Sequence, residues 1–165
     1  MAHTAELNFI KQQGFRDATP SSCEVQYSAL MFQPRVLAFL VAAALILQSA
    51  PLFLVLSALL WWNVTLPGFN PFDALYNRFL ARAKGLPRLT PALAPRRFAQ
   101  GMAASFMLGI GVSLLLEWRV AAWVLEGFLV FALVALILGR FCLGSYIYHL
   151  VRGDAAFANH TLPWV

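Results

Sequence analysis

The chain has 165 residues, of which 61% are hydrophobic and 12% charged, and its mean hydropathy is +0.71. These values exclude an ordinary soluble core and predict an all-α integral membrane protein. The formal net charge of +5 does not point to nucleic acid, because the basic residues lie in the gaps between apolar runs and form no stripe with interleaved aromatics.

Residues 1–30 read as a polar cytoplasmic N-terminal tail carrying Glu6, Lys11, Arg16, Asp17 and Glu24. No apolar stretch precedes a cleavage site there, so the first membrane helix is expected to direct targeting. An apolar block then runs from Val36 to Val64, too long for one ordinary span at about 20 residues per crossing. Within it, Gln48-Ser49-Ala50-Pro51 fits either a hairpin turn or a proline kink. The distribution of charge favours the hairpin. It puts Lys11, Arg16, Arg35, the connector cations Arg78, Arg82, Lys84, Arg88, Arg96 and Arg97, and Arg152 on one side, with Arg119 opposite. The expected domain, residues 31–152, therefore has four transmembrane helices as two hairpins, at about 31–48, 51–66, 98–116 and 120–150. A short C-terminal tail follows at 153–165, and both termini are expected to be cytoplasmic. Pro34-Arg35 and Pro95-Arg96 open the two blocks alike, with proline suited to a first helical turn and arginine able to reach lipid phosphates.

Between the hairpins, residues 70–84 predict an amphipathic interfacial helix. Asn70 caps it, Pro71 enters its first turn and Gly85 ends it. Phe72, Leu75, Tyr76, Phe79 and Leu80 share one face, and Arg78, Arg82 and Lys84 lie within reach of phosphates. In the third span, Gly101, Ser105, Gly109 and Ser113 recur every four residues and predict a helix-packing groove.

The fourth span carries an intramembrane acid, Glu126, and a cation, Arg140. Trp118 and Trp123 mark its outer interface and Tyr146 and Tyr148 its inner one, about 35 Å apart at the rise of a helix. A register ending near Gly139 would instead put Arg140 at the headgroups as an anchor. Cys142 is the candidate reactive thiol, because a nearby arginine favours the thiolate. On a continuous helix the two side chains would lie about half a turn apart, with Ser145 on the cysteine's face. Cys23 is remote in sequence, so no disulfide framework is indicated. Cys142 and His149 alone do not make a metal site. Neither a catalytic set nor a metal or other cofactor is predicted, and contact with lipid, quinone or pigment stays open.

Arg97-Phe98-Ala99-Gln100 and Phe141-Cys142-Leu143-Gly144, with Pro34-Arg35 and Asn70-Pro71-Phe72, make the chain resemble bacterial inner-membrane proteins catalogued as domain of unknown function 4395, over roughly residues 33–152. The resemblance implies a four-span membrane protein without an assigned reaction. The family's usual motif is similar to F-C-x-G-C followed by tyrosine. Here Ser145 stands in the place of the second thiol, and a hydroxyl cannot resolve a mixed disulfide.

Three functions compete. The leading one is a non-catalytic accessory or structural subunit, partnered by the lipid bilayer and a larger membrane complex of respiratory or photosynthetic type. The others are a thiol or sulfur-handling protein using Cys142 and a small transporter using Glu126.

Overall fold

The computed structural model describes the backbone of residues 2–20 and 23–165, and it contains helices and no strand among the described residues. The side chains of Ala2, His3 and Glu24 lie outside the described residues. Helix α1 (Ala2–Gln12) precedes α2 (Cys23–Leu30) and α3 (Phe32–Ile46), and the last two join in one apolar stretch, Val25–Ile46. Helix α4 covers Ala50–Thr65. The connector holds α5 (Pro71–Leu75), a π-helical turn (Tyr76–Ala81) and α6 (Arg82–Lys84). Then come α7 (Ala94–Leu115), α8 (Arg119–Ile137), α9 (Leu143–Val151) and α10 (Ala155–His160).

By length and composition, Val25–Ile46, α7 and α8 can cross a membrane. Helix α4 is apolar but shorter; its 16 residues make about 24 Å against a hydrocarbon core of about 30 Å. The first block is two helices and not one kinked helix. Gln48 takes a left-handed φ of 44°, and the Ser49 hydroxyl accepts from the Leu52 N–H at 3.4 Å to cap α4.

The central core brings Leu37 and Val41 of α3, Phe53, Leu56 and Leu60 of α4, Met107 and Ile110 of α7 and Leu129 of α8 together. Surrounding lipid is as apolar as these residues, so close fit holds the bundle more than water exclusion does. The fit is closest between α4 and α7. A Cβ on Gly111 would stand 2.8 Å from Leu54, and the Ser57 hydroxyl donates to the Ala104 carbonyl at 2.8 Å. Arg97 donates from Nε and Nη2 to the Val64 carbonyl at 2.9 and 2.7 Å, satisfying a carbonyl that the end of α4 leaves open.

Three expectations are corrected. The run 120–150 is not one helix. Leu138 and Gly139 N–H groups both donate to the Val134 carbonyl, Arg140 turns left-handed at φ 52°, and Cys142 starts α9 in extended backbone. Gly139 permits the break, since a Cβ there would lie 2.6 Å from the Ala135 carbonyl oxygen. The 19 residues of α8 still make about 28 Å, in keeping with the register that ends near Gly139. Second, residues 1–30 are not a polar tail. Phe9, Ile10, Cys23 and Met31 are buried in a cluster with Cys142, because Leu7, Phe9 and Ile10 give α1 an apolar flank. Third, residues 153–165 are not a free tail either. Asn8 donates to the Leu162 carbonyl at 3.0 Å, Arg16 pairs with Asp154, and the Arg16 guanidinium lies 4.4 Å over the Phe157 ring.

The connector helix keeps its expected ends. The Asn70 side chain accepts from the Phe72 N–H at 3.0 Å, and Gly85 closes the other end at φ 62°. Its faces differ from the expectation: Phe72, Asp73 and Tyr76 are buried, whereas Leu75 and Phe79 are exposed.

Candidate functional site

Cys142 sits in the break between α8 and α9. Its backbone N–H donates to Gln12 Oε1 at 2.8 Å, and its Sγ accepts from the Ser145 hydroxyl at 3.3 Å. Ser145 is wholly buried and also accepts from Gln13 Nε2 at 3.2 Å. One turn further, the buried His149 ring meets the Gln12 carbonyl through Nε2 at 3.1 Å and packs on Phe157 with centroids 4.8 Å apart. The end of α1 thus threads two glutamines into the start of α9. Gly144 makes room on the other side: a Cβ there would lie 2.7 Å from Ala99 Cα of α7. The pairing is incomplete: Gln12 Nε2 and His149 Nδ1 are buried without a hydrogen-bond partner, and an unpaired buried polar group costs free energy.

Arg140 does not share a helix with Cys142. Its Nη1 lies 3.3 Å from Glu6 Oε1, and its guanidinium stands 5.7 Å from the Tyr27 ring centroid. Both contacts bind the break to α1 and α2. Cys23 and Cys142 are both buried and pack in the same cluster, a neighbourhood that their separation in sequence hid.

The structure also contains a polar hub where α3, the connector and α7 meet, which sequence reasoning missed. Gln33 Oε1 accepts from Asn70 Nδ2 at 3.2 Å, Arg96 Nη2 at 2.8 Å and Gln100 Nε2 at 3.0 Å. The same Arg96 nitrogen donates to Asp73 Oδ1 at 2.9 Å, and both side chains are less than a tenth exposed. Arg96 therefore does not reach lipid phosphates as its position suggested. Arg35, its counterpart in the echoing Pro-Arg pair, is exposed. The available signal was an acid in the connector, Asp73, with two glutamines near the ends of apolar runs, a pattern that costs free energy unless the groups pair.

Glu126 is buried on α8 and accepts from Gln48 Nε2 at 3.2 and 3.4 Å. The carboxylate thereby braces the turn between α3 and α4. The four small residues of α7 do not make one groove. Gly101 faces Val64 of α4, Gly109 faces Leu125 of α8, Ser105 is exposed with its hydroxyl on the Gly101 carbonyl, and Ser113 is buried. Residues Ala104 and Gly111 make the close approach to α4 instead. Among the described residues, no group of three His, Cys, Asp or Glu side chains could hold a metal ion.

A mostly helical chain with three membrane-length apolar helices and buried polar hubs at their ends defines a small polytopic membrane protein by length and composition. The family model for domain of unknown function 4395 matches residues 25–152, and the chain belongs to that family. The match begins in α2, upstream of the residues that carried the resemblance. No curated protein and no solved structure matches the chain.

Proposed function

We propose that this protein is a non-catalytic accessory or structural subunit of a larger complex in a bacterial inner membrane, with α4 completing a fourth crossing and both termini cytoplasmic. The observation that supports it most is the employment of the candidate chemical groups as joints. Arg140 ties to Glu6, Glu126 ties to Gln48, and Cys142 is held by Gln12 and Ser145. Groups committed to holding helix ends in register are poorly placed to exchange protons or electrons with a substrate. One flank of α8 supplies a surface for a partner: Val120, Trp123, Val124 and Val134 are all exposed and share one helix face. Gentle detergent extraction followed by native electrophoresis tests the reading. A band heavier than the single chain, containing a second membrane protein, is expected; a lone monomer under every mild condition rejects it.

A second reading, thiol chemistry at Cys142, has its own support in the Ser145 hydroxyl 3.3 Å from the sulfur and in the buried second thiol, Cys23, within the same cluster. It predicts alkylation of Cys142 by a membrane-permeant reagent at neutral pH. Labelling confined to pH above about 8.5, the ordinary thiol value, leaves the cysteine as packing.

A further inference from the structure

A cavity of about 400 Å³ lies between α3, α7, α8 and the start of α9, a volume within the range of small-molecule sites. Its walls are almost wholly apolar, with Leu37, Ala103, Phe106, Phe128 and Leu133 prominent, and its polar groups gather at one end around Gln33, Arg96 and Gln100. Along α7 the lining runs from Arg96 to Phe106, about 15 Å of helix and so about half the thickness of a hydrocarbon core. The cavity is therefore one leaflet deep, polar where the connector lies and apolar toward the middle.

The chemistry of the polar end selects the occupant. Both hydrogen bonds of Arg96 leave from Nη2, and Gln33 uses only its Oε1, so among the described residues Arg96 Nη1 and Nε and Gln33 Nε2 are donors still to be used. An occupant that brings acceptor oxygens uses these donors, beside the buried and unpartnered acceptors Asp73 Oδ2 and Gln100 Oε1. It should also be uncharged at that point, because Asp73 already balances the guanidinium at 2.9 Å, and a second anion beside that carboxylate would be repelled. We propose that the cavity holds one acyl chain of a membrane glycerolipid, with its ester carbonyl accepting from Arg96 and Gln33 and its chain lying against Phe106 and Phe128. The ester group of a bilayer lipid lies at the boundary between headgroup and hydrocarbon, the depth that the first turn of α7 occupies. The bound lipid then fills the space between α7 and α8 as a fixed part of the bundle.

The test compares a diester phosphatidylglycerol with its dialkyl ether analogue, which has the same headgroup and chains but no carbonyls. The purified protein is delipidated, reloaded with equimolar mixtures and weighed by native mass spectrometry. One retained lipid is expected, with the ester form preferred about tenfold, the worth of one hydrogen bond from a charged donor. Gln33→Glu keeps an oxygen for Asn70, Arg96 and Gln100 but removes the amide donor, and should lower the ester preference about threefold without abolishing it, because the Arg96 guanidinium still donates. Ala103→Phe and, from the opposite wall, Ala132→Phe fill the cavity and should lower retention of both lipids about tenfold. Equal retention of ester and ether lipid by the unaltered protein overturns the proposal. So does displacement of the ester lipid by an equimolar isoprenoid quinone, which would make the site one for a different carbonyl compound. Retention unchanged in both filled variants also overturns it, since the lipid would then lie elsewhere.

Discussion

The bundle core and the junction at the C-terminal end of α8 are both buried, yet they are held in different ways. The core of α3, α4, α7 and α8 is apolar side chains in close fit, with one hydroxyl-to-carbonyl bond between Ser57 and Ala104. The junction joins α1 to α9 through Gln12, Gln13, Ser145 and His149, and Arg140 adds contacts to Glu6 of α1 and Tyr27 of α2; a lost polar partner there is costly. Apolar packing tolerates exchange of one aliphatic group for another of similar volume. A polar joint tolerates little, because each group is specified by its complement.

The largest effect should come from the polar side. Asp73→Ala leaves the Arg96 charge buried without its carboxylate and should cost about 3–5 kcal/mol, read as a fall in the thermal midpoint in detergent. Loss no greater than that of an ordinary core truncation would mean that the hub is not the stronger element. Next, Gly144→Ala forces a Cβ to within 2.7 Å of the Ala99 backbone and should cost about 1–3 kcal/mol. Gly127→Ala, where nothing lies within 4 Å, should be neutral or slightly stabilising, since alanine is the better helix former. Equal effects of the two glycine substitutions would contradict the close docking of α9 on α7.

Smaller still is Ser57→Ala in the bundle, expected at about 0.5–1.5 kcal/mol because it removes one hydrogen bond while the Ala104 carbonyl keeps its helical partner within α7. Glu6→Gln comes last. The Arg140 side chain is 33% exposed and that of Glu6 15% exposed, so screening should hold the loss to about 1 kcal/mol or less, with sensitivity to salt.

Alkaline pH tests the connector. Tyr76 is buried with its hydroxyl lacking a partner, and burial pushes its phenol above the usual value of 10.0. The neutral phenol favours the folded state, so that contribution is present below about pH 10 and is lost as pH rises through the raised folded value. Tyr76→Phe should remove this alkaline loss while changing stability little at neutral pH.

Composition and periodicity sufficed for the apolar helices, because a membrane span must be long and apolar whatever it packs against. Asn70 and Gly85 likewise mark the connector helix through local capping chemistry. The polar contacts were hidden because their partners are far apart in the chain: Gln12 meets Cys142, and Gln33 meets Arg96. The end of α8 was misread for a related reason. Arg140 adopts a backbone conformation usual for glycine, so no residue type marked the turn, and apolar residues on both sides made the run look continuous. The four-residue spacing of small residues in α7 suggests one groove, whereas Gly101 and Gly109 face different helices and Ser105 is exposed.

The joining of α1 to α9 also sets an order in time. During synthesis Glu6, Gln12 and Gln13 emerge well before Arg140, Cys142 and Ser145, the groups they eventually meet. Helix α1 is made before its partners, and its glutamines must find water or temporary partners until α9 appears. Closing this junction is thus the return of an earlier-made segment, and a pulse of labelled chains should show protease protection of α1 only after residue 145 has left the ribosome.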